Sequence, residues 1–354
     1  MDIDNKLRKK QKLEAVKKTS SGYVCKPKDE MDTFDLKIIR CLSRDCRASY
    51  RNIASVVDLT PNAIKERINT MVCNGIIQSF IVNVNPALFG YEKECLLTVK
   101  HFYKKATTTT ISEDNILKQL NLLGDVRVYA KLLQRSAMFA ISLRPGAEDK
   151  ITLIVDLLKQ SAFDVQYAFM NYRPIPIKIH TSDFKIIRAL LPNPRMHVED
   201  VAKETSLSTK TVTRRLQILR ENHIVEFVII RNMSSMQLAG YIEFGVMVHL
   251  QDDSLYQPVL DKICQEMQEY LFVVPHFNQK EAIFLVFFCP NISTVDLILK
   301  RLESYDRVNG TEMFITTKIA YYQDWVKREI DKKLKSEEQV QWQRQQQEQQ
   351  SATP

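Results

Sequence analysis

Two segments of this 354-residue chain carry side chains suited to reading the edges of base pairs. In TPNAIKERINTMVCNGI, residues 60–76, the apolar residues Ile64, Ile68 and Met71 recur at helical spacing. With that stripe turned inward, Asn62, Lys65, Glu66 and Asn69 point outward. In STKTVTRRLQILRENHI, residues 208–224, Val212, Leu216 and Leu219 make the stripe, and Lys210, Thr213, Arg214 and Gln217 turn outward. Asn and Gln can bond adenine edges in the major groove, and Arg or Lys can bond guanine. A solvated helix face is the plain alternative, but recurrence of the whole capped pattern favours base reading. The two helices differ in charge. Residues 60–73 hold Lys65 and Arg67 against Glu66, a net of +1, while residues 208–220 hold Lys210, Arg214, Arg215 and Arg220 with no acid, a net of +4. Neutralised phosphates drive affinity, so the second helix is expected to dominate binding to double-stranded DNA. Arg67 and Arg215 flank their stripes and fit two roles equally, a brace to a carboxylate or a phosphate contact. Arg51 follows Ser49 and Tyr50 at the start of a shorter helix, a place where a backbone phosphate docks.

The elements that position these residues occur twice. At an offset of 148, residues 35–82 match residues 183–230 without a gap, with identities that include Asp35/Asp183, Arg47/Arg195, Arg67/Arg215 and Ile76/Ile224. Each copy predicts three helices and a small strand pair. Thr60-Pro61 and Ser208 supply N-terminal caps for the third helices. Gly75 supplies a left-handed stop, and His223 in its place predicts a less sharply turned end. The β-branched IIQSFIVNV suits a strand and wing. After each copy the order strand–helix–strand–strand–helix–strand recurs, from ECLLTVKHFY to VQYAFMNY and from YIEFGVMVHL to EMFITTKIAYY, a ferredoxin-like arrangement. Arg173-Pro174-Ile175-Pro176 marks the join between the halves. The fold class expected is α+β.

Bulk composition narrows the function. The net charge is +8, of which residues 1–28 supply +6 through nine Lys/Arg against three Asp/Glu. The basicity is therefore mostly a solvated tail. No run of 18 apolar residues exists, and MDIDNKLRKKQKLEAVKK lacks the apolar core of a secretory signal; a cytoplasmic protein without a membrane partner is expected. Seven cysteines (residues 25, 41, 46, 73, 95, 264 and 289) form no Cys-x-x-Cys pair and are expected to be reduced. Six dispersed histidines show no metal-ligand spacing. Gly240 and Gly245 are followed by Val246 rather than Lys, so they make no phosphate loop. No enzyme, no cofactor and no metal is expected.

The stretches MDTFDLKIIRCLSRDCRASYRNIASVVDLTPNAIKERINTMVCNGII and SDFKIIRALLPNPRMHVEDVAKETSLSTKTVTRRLQILRENHIV resemble the Lrp/AsnC family of transcription regulators, across roughly residues 31–322. The resemblance implies winged helix-turn-helix units at residues 31–84 and 179–231, each followed by a ferredoxin-like βαββαβ domain at 91–173 and 240–322. A flexible basic tail (1–30) precedes them, and a helix with a Gln-rich tail (323–354) follows. Ordinary members carry one copy and dimerise, so this fused chain is expected to form a homo-oligomer or an internal pseudo-dimer on a site less symmetric than a palindrome. Family members that bind amino acids carry a glycine-containing acidic loop between the second and third strands of the βαββαβ domain. LLQRSAM (132–138) and HFNQKEAI (276–283) have no glycine, which leaves a small-molecule effector open. Sirohaem decarboxylases resemble the same family while acting on a tetrapyrrole; under that alternative His197, His249 and His276 would be the residues of interest. An interaction scaffold is the third alternative. The basic second helix argues for DNA.

Overall fold

The computed structural model describes residues 31–100, 113–133, 136–160, 164–238, 240–273 and 282–351. The basic tail, His276 and the last three residues lie outside them, as does part of each loop named above.

The first copy opens with α1 (Thr33–Arg44), closed at its start by a capping box between Asp32 and Asp35. Those reciprocal bonds satisfy backbone N–H groups that the first turn leaves unpaired. α2 (Tyr50–Val57) begins at Ser49, whose hydroxyl accepts the Asn52 N–H, and ends at Asp58 in the left-handed conformation. α3 (Pro61–Cys73) begins at Thr60 and buries Ile64, Ile68 and Met71, the stripe the sequence predicts. Gly75 then turns the chain at φ +69°.

The second copy repeats these turns in α6 (Thr181–Leu190), α7 (Val198–Thr205) and α8 (Thr209–Glu221). Ser206 takes the left-handed position of Asp58, and His223 takes that of Gly75 at φ +52°. The expected blunter end at His223 is thus corrected. The His223 and Ile224 N–H groups bond the Arg220 and Leu219 carbonyls, matching Gly75 to Val72 and Ile76 to Met71. A non-glycine residue in this conformation costs roughly 1 kcal/mol or more, so the surrounding packing imposes the turn.

One strand follows each third helix, β1 (Ile77–Val84) and β6 (Val225–Arg231). The predicted wing within each copy is replaced by a ribbon between copies, in which β1 and β6 pair antiparallel. Ile81 faces Val228 and Phe80 faces Ile229. Ile229 is the repeat counterpart of Ile81, and Val228 that of Phe80, so exchanging the copies maps the ribbon onto itself. That is the self-complementary geometry of a two-fold interface, formed inside one chain. An isolated hairpin is marginal in water; here Ile77, Val82, Phe227 and Ile229 join one core shared by both copies.

The rest of the chain builds an eight-stranded sheet. Its first half comprises β2 (Lys93–Lys100), α4 (Glu113–Leu123), β3 (Asp125–Leu132), β4 (Ser136–Leu143), α5 (Glu148–Gln160) and β5 (Asp164–Asn171). Its second half follows the short α9 (Met233–Leu238) and comprises β7 (Ile242–Leu250), α10 (Tyr256–Glu266), β8 (Leu271–Val273), β9 (Ala282–Cys289), α11 (Ile292–Glu303) and β10 (Val308–Tyr321). The strand order β5-β2-β4-β3-β10-β7-β9-β8 repeats fourth-first-third-second in each half, which makes each half ferredoxin-like. β10 joins them: Val308–Ile315 pairs with β7, and Thr316–Tyr321 crosses over to β3. Alternation along β2 sends Cys95, Leu97 and Val99 into the core that holds Ile116, Ile151 and Val155 of α4 and α5. Leu96 points the other way, toward a cluster of Ala130, Leu132, Met247 and Phe314 drawn from both halves.

The last helix, α12 (Asp324–Ser351), begins at the expected place and its first turns are packed. Trp325, Val326 and Ile330 are buried in the core shared by the two copies. The Trp325 ring stands edge-on to Phe89 and Tyr91, at centroid distances of 5.8 and 5.7 Å. Arg188–Asp331 (2.6 Å) ties the helix to α6, and Arg144–Glu329 (3.0 Å) ties it to the sheet. The cysteines also need a correction. Cys41, Cys46, Cys95, Cys264 and Cys289 are free as expected, but Cys73 is disulfide-bonded.

Candidate nucleic-acid interface

The third helices present the predicted faces unequally. Asn62 and Lys65 on α3 are exposed and Asn69 is half-buried. On α8, Lys210, Thr213, Arg214 and Gln217 are all exposed, and the Gln217 amide donates to Glu221 at 2.8 Å. Arg51 is exposed in the first turn of α2.

Arg67 and Arg215 leave this face. Arg67 Nη1 reaches both Asp32 (2.8 Å) and Asp35 (2.7 Å), and its guanidinium lies 5.5 Å from the Phe34 ring centre. Burial pulls its pKa down, but bonds to Asp35 and Asp32 outweigh that and raise it. Arg215 forms a two-point pair with Asp183, its Nε 2.6 Å from Oδ1. The bond to Asp183 holds its pKa up against burial. Of the two roles open to these arginines, the brace is formed in both copies. The reason is geometric: each sits beside its inward stripe, directly over the acidic cap of the first helix. Arg220 is also engaged, with Asp45 at 2.7 Å.

These pairs change the charge contrast. With Arg67 braced, Lys65 and Glu66 cancel on α3. With Arg215 and Arg220 paired, Lys210 and Arg214 remain against Glu221 and leave α8 at +1. The preceding helices tilt the other way. Where α2 offers Arg51, α7 carries Glu199 and Asp200 in its first turn, an arrangement that suits the helix dipole and repels a phosphate. The repeat alignment pairs Arg51 with Glu199, and this difference could have been read from the sequence.

A second feature missed in the sequence is the clasp between the copies. Arg47 Nη1 donates to the Pro194 carbonyl, and Arg195 Nη1 donates to the Cys46 carbonyl. Pro194 is the repeat counterpart of Cys46, so the two bonds are one contact made twice. The guanidiniums also lie over rings, Arg47 5.3 Å from the Phe227 centre and Arg195 5.4 Å from Phe80. The identity of Arg47 and Arg195 was visible in the alignment, but nothing in it showed that they cross over.

His197 is the exposed cap of α7 and His249 an exposed residue of β7, so they share no layer of the fold. Among the described residues no group of three or more His, Cys, Asp or Glu could hold a metal ion. No helix among them is long and apolar enough to cross a membrane.

Comparison with known proteins follows the same division. An AsnC-type helix-turn-helix domain matches residues 31–72, and a winged helix-turn-helix DNA-binding model matches residues 179–226. The HTH-type transcriptional regulator FL11 of Pyrococcus abyssi is 26% identical over 134 residues, 35% of this chain and 89% of that protein. An uncharacterized HTH-type transcriptional regulator of Pyrococcus horikoshii is 36% identical over 76 residues, 22% of this chain and 51% of that protein. Among solved structures, the siroheme decarboxylase NirDL aligns over 87% of this chain and 100% of its own, at 12% identity and a TM-score of 0.43. Escherichia coli AsnC aligns over 42% of this chain and 95% of its own, at 21% identity and a TM-score of 0.29.

Proposed function

We propose that this chain, a tandem member of the Lrp/AsnC family of transcription regulators, binds duplex DNA as an internal pseudo-dimer and reads two unlike half-sites. The observation that carries this reading is the ribbon with its crossed arginines. It holds two capped helix-turn-helix units about a local two-fold, with the outer faces of α3 and α8 free of the core. Such units bind half-sites about one helical turn apart, roughly 34–36 Å.

The two heads divide the work. In the first, Arg51 seats a phosphate at the start of α2 while Asn62, Lys65 and Asn69 meet the groove. In the second, Lys210 and Arg214 bind phosphates or guanine, Thr213 and Gln217 lie beside them, and the acids of α7 hold the first turn away from the backbone. DNA is the partner and no catalytic step is involved.

The test is fluorescence anisotropy with a fragment selected from a random duplex pool, at several salt concentrations. Arg214→Glu is expected to weaken binding by at least tenfold and Lys65→Glu by less, with log K falling linearly in log salt. An unchanged affinity in Arg214→Glu beside a lost one in Lys65→Glu would reverse the ordering. Failure of the intact chain to select any sequence would leave a scaffold in place of a regulator.

A further inference from the structure

Between the ribbon and the inner face of the sheet lies a cavity of about 1260 Å³. Protein interiors are close-packed, and sites for small molecules commonly occupy about 300–1,000 Å³. A space of this size is a built feature of the fold. Its body is apolar, with Leu96, Ala130, Met138, Phe284, Phe314 and Ile319 in the wall.

Two polar groups line it, one from each half of the sheet. In the first half Arg127 bonds Glu94 at 2.7 Å, and the Tyr172 hydroxyl donates to the same carboxylate at 2.8 Å. In the second half Arg231 bonds Glu243 at 2.9 Å, with Tyr321 beside them. Tyr321 is 41% accessible although protein surrounds it, because the space it faces is the cavity. Its hydroxyl has no hydrogen-bond partner among the described residues, and desolvation holds the phenol above its ordinary pKa, so it stays a donor. Both deep guanidiniums are neutralised by their carboxylates. The exposed lining differs: Arg44 and Arg173 have no acidic partner among the described residues.

We propose that this cavity binds a small carboxylic acid with an apolar body, its body against the inner sheet and its carboxylate toward Arg44 and Arg173. The other acids in the lining are already engaged, Asp45 by Arg220 at 2.7 Å, Glu221 by the Gln217 amide at 2.8 Å and Glu226 by the Asn83 amide at 3.1 Å, and the apolar wall suits neither a dianion nor a sugar. The ribbon forms one side of the cavity, through Ile81, Val82, Phe227 and Val228. Thr213, Gln217 and Arg220 of α8 line it too. Occupancy therefore bears on the element that sets the spacing of the heads, a consequence that rests on the DNA-binding reading.

Trp325 also lines the cavity and reports on it. In a Trp342→Phe background, where Trp325 is the sole emitter, dodecanoate is titrated with dodecanol as its uncharged counterpart. The expected result is a saturable change in emission with dodecanoate, about tenfold weaker with dodecanol, as one lost charge-assisted contact implies. Ala140→Phe, which narrows the space, should weaken both ligands. Arg44→Ala with Arg173→Ala should weaken dodecanoate alone. Circular dichroism and the melting temperature establish that each variant is folded. No saturable response in the folded protein overturns the site, and equal binding of acid and alcohol overturns the carboxylate assignment. A second arm repeats the DNA titration with saturating dodecanoate, where a change of at least about threefold is expected. Dodecanoate binding with unchanged DNA affinity overturns the coupling, and dodecanoate binding by a chain that selects no DNA overturns the DNA reading alone.

Discussion

Arg215→Ala separates a brace from a DNA contact. The substitution leaves the Asp183 carboxylate, 0% exposed, with the His180 N–H at 2.8 Å as a remaining donor. Removing one partner of a buried ion pair costs roughly 3–5 kcal/mol, and the remaining bond places the expected loss near the lower end, about 3 kcal/mol. The counterpart Arg67→Ala should cost somewhat less, roughly 2–3 kcal/mol: Arg67 is 25% and Asp32 38% exposed, so water replaces part of what is lost, while Asp35, 5% exposed, is left with the Asp32 N–H at 3.2 Å. Replacing both partners, Arg215→Met with Asp183→Asn, should recover much of the stability, since no buried charge is stranded. Urea unfolding followed by far-ultraviolet circular dichroism measures all four chains. DNA titration at two salt concentrations, under conditions where each is folded, supplies the second readout. A phosphate contact contributes about 0.9 to the slope of log K against log salt. Arg214→Ala should lose that amount and Arg215→Ala should not. A stability change under 1 kcal/mol in Arg215→Ala, together with a slope reduced as in Arg214→Ala, would refute the brace.

Three further outcomes can be checked. Glu199→Arg installs in the second head the charge that Arg51 gives the first, so DNA affinity should rise and the salt slope steepen by about 0.9; an unchanged slope would show that α7 stays clear of the backbone. Arg47→Ala and Arg195→Ala each remove a charge-assisted bond between the copies and should each lower stability by roughly 1.5–3 kcal/mol, with a non-additive double variant because both act on one ribbon. Burial pushes the thiols of Cys46 and Cys95 up to about 12, against 9.0 for an unperturbed thiol. The unfolded chain then ionises first, so stability is full below pH 9 and falls as pH rises toward 12, by about 2 kcal/mol per cysteine at pH 10.5. Alkylation of either thiol in the folded protein at pH 8 would contradict that burial.

The third helices were legible because the signals are local. Thr60-Pro61, Ser208 and the two apolar stripes are fixed by bonds within four residues, and each appears where spacing puts it. The βαββαβ order was legible for the same reason, since periodicity switches from two to 3.6 along each segment. Partner choice was not. IIQSFIV and VEFVII carry the same pattern whether they fold into a wing or pair with each other, and register over 148 residues is decided by the core they share. Trp325 was hidden by its neighbours: a charged, Gln-rich helix reads as solvated, and one aromatic in its first turn cannot outweigh that average. The roles of Arg67 and Arg215 were open because a helix wheel places them at the edge of the stripe. The structure adds the carboxylates of Asp32, Asp35 and Asp183, at the start of the helix that packs alongside, as their partners.

Unequal heads require a fused chain. In a homodimer the two-fold copies every substitution into both recognition helices, so an acid at the start of one α2-type helix would appear in its partner. Here the matched residues and the diverged residues fall in different places. Arg47 and Arg195, the left-handed turns at Asp58 and Ser206, and the arginine braces hold the copies to each other or to their own cores, and they match. Arg51 against Glu199, Lys65 against Thr213 and Glu66 against Arg214 face outward, and they differ. The contacts between the copies have thus been kept while the outward faces of the helices diverged. A free scaffold has no need of constant spacing, whereas two major grooves on one face of a duplex do. Footprinting should accordingly show two protected segments one helical turn apart with unlike sequences, and the segment under α8 should lose protection first as salt is raised.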